Sequence, residues 1–336
     1  MGRYLAGRLL QAVATILIAV VVVFLLIRLL PNNPVLSRFG QHAVPEQVAI
    51  EMARQGWDQP LLVQLKNFIA SALGDGDLGE SFFLNETVVE GIERTFPATL
   101  ELALSALMLA VPLGVVAGVA AAVWRNRLPD YLCMSGSLLG VSVPVFFLGI
   151  CLMFMFPQMP TRGRLPLGAD FDASSGFIVI ESLFRGRFDI FNAALRHLCL
   201  PAIALSTIPM AVIARITRSS MLDVLSADYV RTARAKGASP PRVVARHALP
   251  NAGIPITNIA GLQIGVLLTG AVLTETFFDW PGMGTHLVDA VRLSDYNVVQ
   301  GCTLMIVTLF VAISLALDMI YLWLDPRIRF SGGADG

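Results

Sequence analysis

Residues 98–123 read ATLELALSALMLAVPLGVVAGVAAAV, and Glu101 is their only charged residue. Because a hydrocarbon core about 30 Å thick takes about 20 apolar residues to cross as a helix, this stretch predicts a membrane span. Five more stretches pass the same test: residues 9–30, 131–156, 198–216, 252–276 and 300–324. The sequence therefore predicts an all-α, polytopic membrane protein with six transmembrane helices.

The composition excludes a water-soluble globule. Of the 336 residues, 55% are hydrophobic and 14% are charged, and the mean hydropathy is +0.70. Soluble domains carry about 25% charged residues, so this chain has too few to cover a soluble surface. A formal net charge of zero also excludes a strongly basic, nucleic-acid-binding chain.

The distribution of lysine and arginine predicts the orientation. With a cytoplasmic amino terminus, the inner segments are 1–8, 124–130, 215–251 and 325–336. They hold 13 basic residues in 64, whereas the remaining outer segments, 28–97, 157–197 and 277–299, hold 11 in 134. Basic residues concentrate on the cytoplasmic side of membrane proteins, so both termini are predicted to be cytoplasmic. The first span is predicted to stay uncleaved, because no small-residue signal-peptidase site follows it.

Three acidic residues, Glu101, Glu275 and Asp318, lie within or at the edges of predicted spans. A charged carboxylate at mid-bilayer costs at least about 2.5 kcal/mol, so each should face protein or a water-filled path. Two interpretations stay open for each acid: hydrogen bonding between helices, or a position on a translocation path.

Small residues and prolines in the spans favour close and bendable packing. Three GxxxG pairs allow helix backbones to approach each other: Gly114/Gly118, Gly136/Gly140 and Gly261/Gly265. Prolines that permit kinks lie in or beside the spans at Pro112, Pro144, Pro201, Pro209 and Pro255.

The outer loops predict a small external subdomain. In the first outer loop, 31–97, helical patterns cover Pro45–Arg54 and Leu61–Leu73, and the glycines and aspartates of Gly74–Gly79 then break the pattern. The second outer loop, 157–197, starts irregular and becomes more hydrophobic. It either meets whatever delivers a substrate or forms a lid packed on the bundle.

No sequence motif points to a metal site, a cofactor or catalysis. The cysteines, Cys133, Cys151, Cys199 and Cys302, lie in apolar stretches without a CxxC pair. Lys66 precedes Asn67 and Lys236 precedes Gly237, so neither lysine ends a glycine-rich ATP-binding loop. We expect no enzymatic activity, metal or cofactor in this chain; active transport would need an ion gradient or a partner ATPase.

The inner loop, 217–251, has the most specific pattern. Ser220–Asp223 fits a capping box for a helix to about Lys236, and Gly237 is a helix stop able to adopt positive φ. Ser239 and Pro240 then predict a second short helix that ends near Leu249. The basic residues of this loop alternate with apolar ones: Arg231, Arg234, Lys236, Arg242 and Arg246.

Three interpretations of this helix–glycine–helix element compete. A solvated basic loop could lie against anionic lipid. DNA binding is disfavoured because the element is too small to have a core of its own. Docking into another protein best explains why apolar and basic residues alternate between firm caps.

The inner loop resembles the EAA-type loop of the inner-membrane permease subunits of ABC importers, in the peptide/nickel group. That loop has the pattern E-A-A-x3-G-x9-I-x-L-P. Four positions match: Ala233, Gly237, Leu249 and Pro250. Three depart, at the glutamate, the first alanine and the isoleucine: Arg231, Thr232 and His247. Nonetheless, the stretch Asp228–Gly237 is typical of the peptide branch.

The resemblance continues over nearly the whole chain. Further matching stretches are Ala98–Leu102, Arg215–Leu222, Thr269–Thr276, Trp280–Gly282, Asp295–Gly301 and Leu324–Arg329. Such ordered agreement is far more specific than any single motif.

The resemblance implies the type I ABC importer permease fold, in the cell (inner) membrane, and half of a translocation path for dipeptides or oligopeptides. It implies a homologous second permease, two cytoplasmic ATPases that bind ATP and magnesium, and an extracytoplasmic binding protein. The ATPase contact would comprise Asp228, Tyr229, Arg231, Ala233, Arg234 and Gly237, with Leu249 and Pro250 ending the element.

These interpretations divide the chain into four parts: a first span at 1–30, an extracytoplasmic segment at 31–97, a permease core at 98–325 and a cytoplasmic tail at 326–336. The coupling loop, 217–251, lies in the core. Two alternatives stay open. One is an ion-coupled secondary transporter that uses Glu101, Glu275 and Asp318, and the other is a same-family importer of nickel complexes or glutathione.

Overall fold

The computed structural model describes residues 2–29, Val35 and residues 44–324. These residues form helices joined by turns, and their one β-type pairing is an isolated bridge between Glu80 and Thr87. The predicted tail, 326–336, lies outside the described residues, as does most of the stretch Leu324–Arg329.

The helices of the described residues are numbered here in chain order. They are α1 (Gly2–Arg28), α2 (Pro45–Arg54), α3 (Leu61–Gly74), α4 (Val88–Val123), α5 (Leu128–Ser142), α6 (Val145–Met155), α7 (Ile178–Phe184), α8 (Phe188–Leu225), α9 (Asp228–Ala235), α10 (Pro240–Phe277), α11 (Met283–Leu293) and α12 (Tyr296–Leu324).

The helices of the described residues account for the six predicted spans. Five are long and apolar enough to cross a membrane: Ala6–Arg28, Val88–Val123, Phe188–Leu225, Pro240–Phe277 and Tyr296–Met319. The sixth is the pair α5 and α6, taken together as one span. The predicted number is therefore confirmed, although several helices run well past the apolar stretches that revealed them.

The third span is broken, whereas its apolar sequence suggested one continuous stretch. Helices α5 and α6 meet at an angle of 108° across Val143 and Pro144. Proline lacks an N–H and disfavours helical backbone in the residue before it. Val143 accordingly has extended backbone, at φ −84° and ψ 122°, and Pro144 caps α6.

Proline alone does not dictate a break, because Pro201 and Pro209 both lie inside the uninterrupted helix α8. About two-thirds of the most apolar window of α8 is buried, against one-third in α4. Neighbouring helices therefore surround much of α8. In membrane proteins, such neighbours can satisfy the backbone groups that a proline leaves free, so the helix continues past it.

The described chain divides into two compact units, and the first takes its residues from Met1–Thr99 and Pro281–Leu315. Its core includes Val88, Met283 and Cys302. Helices α2 and α3 agree with the predicted helical patterns almost residue for residue. The predicted break after α3 is also confirmed, since Gly76 and Gly79 have φ of +68° and +93°.

The second unit takes its residues from Leu100–Trp280 and Ala316–Gly336. Helix α8 is its centre, and packs against α5, α6, α7 and α10. Two apolar clusters fill this unit, one around Met221 and Ala252 and the other around Leu200 and Phe278.

The glycine pairs behave differently from one another. A Cβ on Gly114 would lie 2.8 Å from the Met210 carbonyl oxygen, and one on Gly118 would lie 2.4 Å from that of Ala214. The predicted close approach is thus confirmed where α4 meets α8. For Gly136 it is wrong, because a Cβ there would meet nothing within 4 Å. Gly136 instead lines an apolar groove of about 370 Å³.

We predict that Gly118→Ala destabilises the protein, whereas Gly136→Ala does not. The added methyl group at position 118 would overlap backbone of α8, and overpacking of this kind costs about 1–3 kcal/mol. At position 136 it enters open space, and alanine is the better helix former. Thermal unfolding of both purified variants in the same detergent measures this, and equal midpoints would contradict it.

Candidate functional site

The coupling element of the inner loop begins later than its sequence suggested. Helix α8 runs through Ser220 to Leu225, and a turn at Ser226 and Ala227 leads into α9. The predicted helix start at Ser220 is therefore wrong. Thr217 and Met221 are both fully buried, so packing of α8 continues past the capping-box residues and keeps them helical.

The end of α9 is a Schellman motif centred on Gly237. The Gly237 N–H donates to the Arg234 carbonyl at 2.9 Å, and the Ala238 N–H donates to the Ala233 carbonyl at 3.2 Å. Gly237 has φ of +83°, which confirms the predicted helix stop. Since a Cβ there would meet nothing within 4 Å, the backbone conformation alone requires glycine.

The second helix of the loop is not short, as was predicted, but continues to Phe277 as helix α10. Its second turn, Val243–Ala248, is a π-helix that immediately precedes Leu249 and Pro250. Proline removes a backbone donor and crowds the carbonyl four residues earlier. The wider π turn accommodates Pro250, so the element passes without a break from the loop into a membrane span.

The apolar side of the coupling element is anchored on the second unit. Val230 of α9 and Val243 of α10 are 0% and 1% exposed. Ala248 belongs to the cluster around Met221 and Ala252, and Leu249 packs against that cluster. Burial of this kind, at about 25 cal/mol per Å², fixes the element to the ends of α8 and α10.

The opposite side of the element is charged and exposed. Arg231 lies 3.1 Å from Asp228, and their side chains are 73% and 92% exposed. An exposed pair of this kind contributes about 0–1 kcal/mol, so both groups remain available to a partner. The other exposed side chains of this side are Tyr229, Arg234 and Lys236, while Ala233 is half-buried and Pro250 is exposed.

An ion pair with a buried carboxylate beside this element was missed by the sequence interpretation. The Arg218 guanidinium donates from Nε and Nη2 to the two carboxylate oxygens of Asp130, at 2.5 and 2.8 Å. Asp130 also accepts the Asn126 N–H at 2.9 Å. The pair joins the start of α5 to α8 at the end of α8 that carries α9. Only geometry reveals it, because 88 residues separate the partners.

Glu101, one of the predicted membrane acids, is bound to the second outer loop. Its carboxylate accepts a hydrogen bond from Arg164 Nη2 at 2.5 Å and another from the Val179 N–H at 2.8 Å. The two side chains are only 5% and 10% exposed. Arg164 also donates to the Gly176 carbonyl, and its guanidinium lies 5.7 Å from the centre of the Trp280 ring.

The second outer loop is braced at two further points. The Gly163 N–H donates to the Phe278 carbonyl at 3.2 Å, which ties the loop to the end of α10. The Glu181 carboxylate accepts hydrogen bonds from Ser175 and Ser174, and these lower the pKa of Glu181 to about 2. Of the two interpretations of this loop, the contacts favour a lid packed on the bundle.

The other two predicted acids lie on long helices. Glu275 is fully buried near the end of α10, and Asp318 is half-buried on α12. Among the described residues, no group of three or more histidine, cysteine, aspartate or glutamate side chains is arranged to hold a metal ion.

Two models of one protein family match almost the entire chain. Residues 110–330 match the binding-protein-dependent transport system inner membrane component, and residues 1–103 match the amino-terminal part of the membrane component of such systems. The chain belongs to this family. The family predicted from the coupling loop is therefore confirmed, and the chain is a multi-pass inner-membrane component of a transport system.

Curated members of this family match over almost their full lengths. The di/tripeptide transport system permease DppB of Pseudomonas aeruginosa is 46% identical over 98% of this chain and 99% of its own. DppB of Alkalihalophilus pseudofirmus, a dipeptide transport system permease, is 40% identical over 98% and 100%. The glutathione transport system permease GsiC of Salmonella typhimurium is also 40% identical, over 98% and 100%. These relatives are transport permeases and not enzymes.

We predict that Glu101→Gln lowers the thermal stability of this permease, because it leaves the charge of Arg164 buried without its carboxylate. Removal of one partner from a buried pair costs about 3–5 kcal/mol. Trypsin cleavage after the exposed residue Arg162 should also become faster, since the loop loses its attachment. Glu80→Gln is the matched control: Glu80 pairs with Arg54 at 2.8 Å, but both side chains are about 60% exposed. Equal stability of the two variants would contradict the prediction.

Proposed function

We propose that this chain is one of two permease subunits of an ATP-driven importer of dipeptides and related short peptides. It forms half of the translocation path and receives the motion of cytoplasmic ATPases through α9 and the start of α10. The chain itself neither binds nor hydrolyses ATP. Its partners are a homologous permease, two ATPase subunits that hold ATP and magnesium, and a substrate-binding protein outside the membrane.

The proposal of a peptide substrate rests on the substrates for which the relatives are named. Two of the permeases described above transport dipeptides or tripeptides, and the most similar of these shares 46% of its residues with this chain. The glutathione permease GsiC is also related at 40% identity, and glutathione is itself a short peptide. A short-peptide substrate is therefore favoured over a nickel complex.

The coupling role rests on the geometry of the element 228–250, which is the observation that carries the proposal. Its apolar side is buried on the bundle, while its basic side is exposed at the junction of two membrane-crossing helices. A partner that pushes on this side moves α8 and α10 together. Arg231, Arg234 and Lys236 would meet acidic groups of an ATPase through charge-assisted hydrogen bonds.

The orientation follows from the same assignment. The positive-inside distribution supports a cytoplasmic location for the coupling element and both termini. The external loops, including the lid that Arg164 ties to Glu101, would then face the binding protein.

An ion-coupled transporter is a weaker candidate. It would need membrane acids that exchange protons during transport. Glu101 is held by Arg164 and by the Val179 N–H, so protonation of Glu101 would leave a buried guanidinium unpaired. That arrangement suits a structural acid and not a relay.

Reconstitution tests the function directly. We expect proteoliposomes that contain the permease pair, the ATPases and the binding protein to accumulate a labelled dipeptide only with internal ATP and magnesium. A protonophore should leave the uptake unchanged, because ATP supplies the energy. Uptake that persists without ATP and disappears with the proton gradient would instead support the ion-coupled alternative.

The conformation of Gly237 tests the coupling element. Gly237→Ala places a side chain at φ +83°, at a cost of about 1–2 kcal/mol, and Gly237→Pro also removes the N–H that Arg234 accepts. We expect peptide-stimulated ATPase activity and uptake to fall together, modestly for alanine and almost completely for proline. The amount of chain in the membrane should remain unchanged.

Gly253→Ala is the matched control for this experiment. Gly253 lies within α10, has a negative φ, and offers open space to a Cβ. This variant should keep normal uptake and ATPase activity. Normal activity in Gly237→Pro would show that the turn is not needed for coupling.

A further inference from the structure

Helix α3 of the first unit has an exposed apolar end. At its start, Leu61, Leu62 and Val63 are 45%, 81% and 41% exposed. Lys66 and Ala70, which are also exposed, follow Leu62 at intervals of four residues and so share one face of the helix with it. The opposite face contains Gln64, which is buried, and Phe68. Water is an unfavourable surrounding for three adjacent apolar side chains.

Contacts with α1 fix the position of α3 relative to a membrane span. Arg28, the last residue of the span Ala6–Arg28, donates from Nε to Gln64 Oε1 at 2.7 Å. Phe24 lies one turn before Arg28 in α1, and Phe68 lies one turn after Gln64 in α3. The centres of the Phe24 and Phe68 rings are 6.4 Å apart. Because the two contacts occur in opposite order along the two helices, α3 runs antiparallel to α1 here. Four residues of helix measure about 6 Å, so both contacts lie within about 6 Å of the end of α1. Helix α3 therefore packs beside the last turns of α1, at the level at which that span ends.

The side chains around Arg28 are those expected at a membrane boundary. Its guanidinium lies 3.8 Å from the centre of the Phe24 ring and 4.6 Å from that of Trp57. Tryptophan is enriched at both membrane–water interfaces, and arginine can anchor the end of a span there. Lys66 has an apolar stem that can lie along acyl chains while its ammonium group reaches phosphate.

We infer that α3 lies in the membrane–water interface at the Arg28 end of α1, with the face of Leu62, Lys66 and Ala70 against lipid. The lipid-exposed surface of α1 continues to this level, since Leu26 is 61% exposed. Helix α3 thereby extends the membrane contact of the first unit beyond its spans. Lipid is favoured over a protein partner because the contacts with Arg28 and Phe24 hold α3 at the level where α1 leaves the membrane.

Site-specific photocrosslinking in native membranes tests the inference on the complete chain, expressed with its partner subunits. Leu62→p-benzoyl-phenylalanine and Lys66→p-benzoyl-phenylalanine should both give lipid adducts by mass spectrometry after irradiation. The adduct yield should resemble that of the same substitution at Leu26 on α1. The large exposure of these positions makes misfolding of the variants a minor concern, and the amount of each in the membrane is measured in parallel.

Ile50 supplies the matched negative control. It is 63% exposed and apolar, but lies on α2 among Glu46, Glu51 and Arg54, so the probe at this position should give no lipid adduct. Crosslinks from positions 62 and 66 to a second permease or to a binding protein would overturn the inference. An absence of lipid adducts at 62 and 66 while Leu26 gives them would overturn it as well.

Discussion

The membrane removes water as a partner for the backbone, and this constraint shapes the whole chain. Every N–H and C=O group at membrane depth must be satisfied within the protein, so apolar sequence in this setting becomes helix. Departures from a straight helix occur where local groups compensate. At the break in the third span, Val143 still donates to the Leu139 carbonyl, and the Pro144 carbonyl accepts the Leu148 N–H. The π turn before Pro250 is a second such adjustment.

Helix length then links the membrane to the coupling element. Helix α8 has 38 residues and measures about 57 Å, nearly twice the thickness of the hydrocarbon core. The part of α8 that exceeds this thickness is followed by a two-residue turn and then α9. Arg218 lies in this part and binds Asp130 at the start of α5. If a partner displaces α9, as proposed above, the packed helices attached to it would move with it, because close-packed interiors transmit strain.

Short sequence patterns predicted correctly those features that depend on interactions between residues close together in the chain. Helices α2 and α3 and the positive φ of Gly237 followed from periodicity and turn chemistry within a few residues. The capping box at Ser220 failed because the burial of Thr217 and Met221 outweighs a cap signal. The sequence marked Pro144 as one of several prolines that permit a kink, but not as the one that breaks its span, since Pro201 and Pro209 do not break α8. The pairs of Glu101 with Arg164 and Asp130 with Arg218 join residues 63 and 88 positions apart, and no spacing rule connects them.

Two ion pairs with buried carboxylates join separate segments of the second unit. Each carboxylate loses hydration on burial and accepts hydrogen bonds from an arginine and a backbone N–H in its place. One pair attaches the lid to α4, and the other attaches α5 to α8. If ATPases displace α9, as proposed above, such attachments would pass the displacement on from one helix to the next.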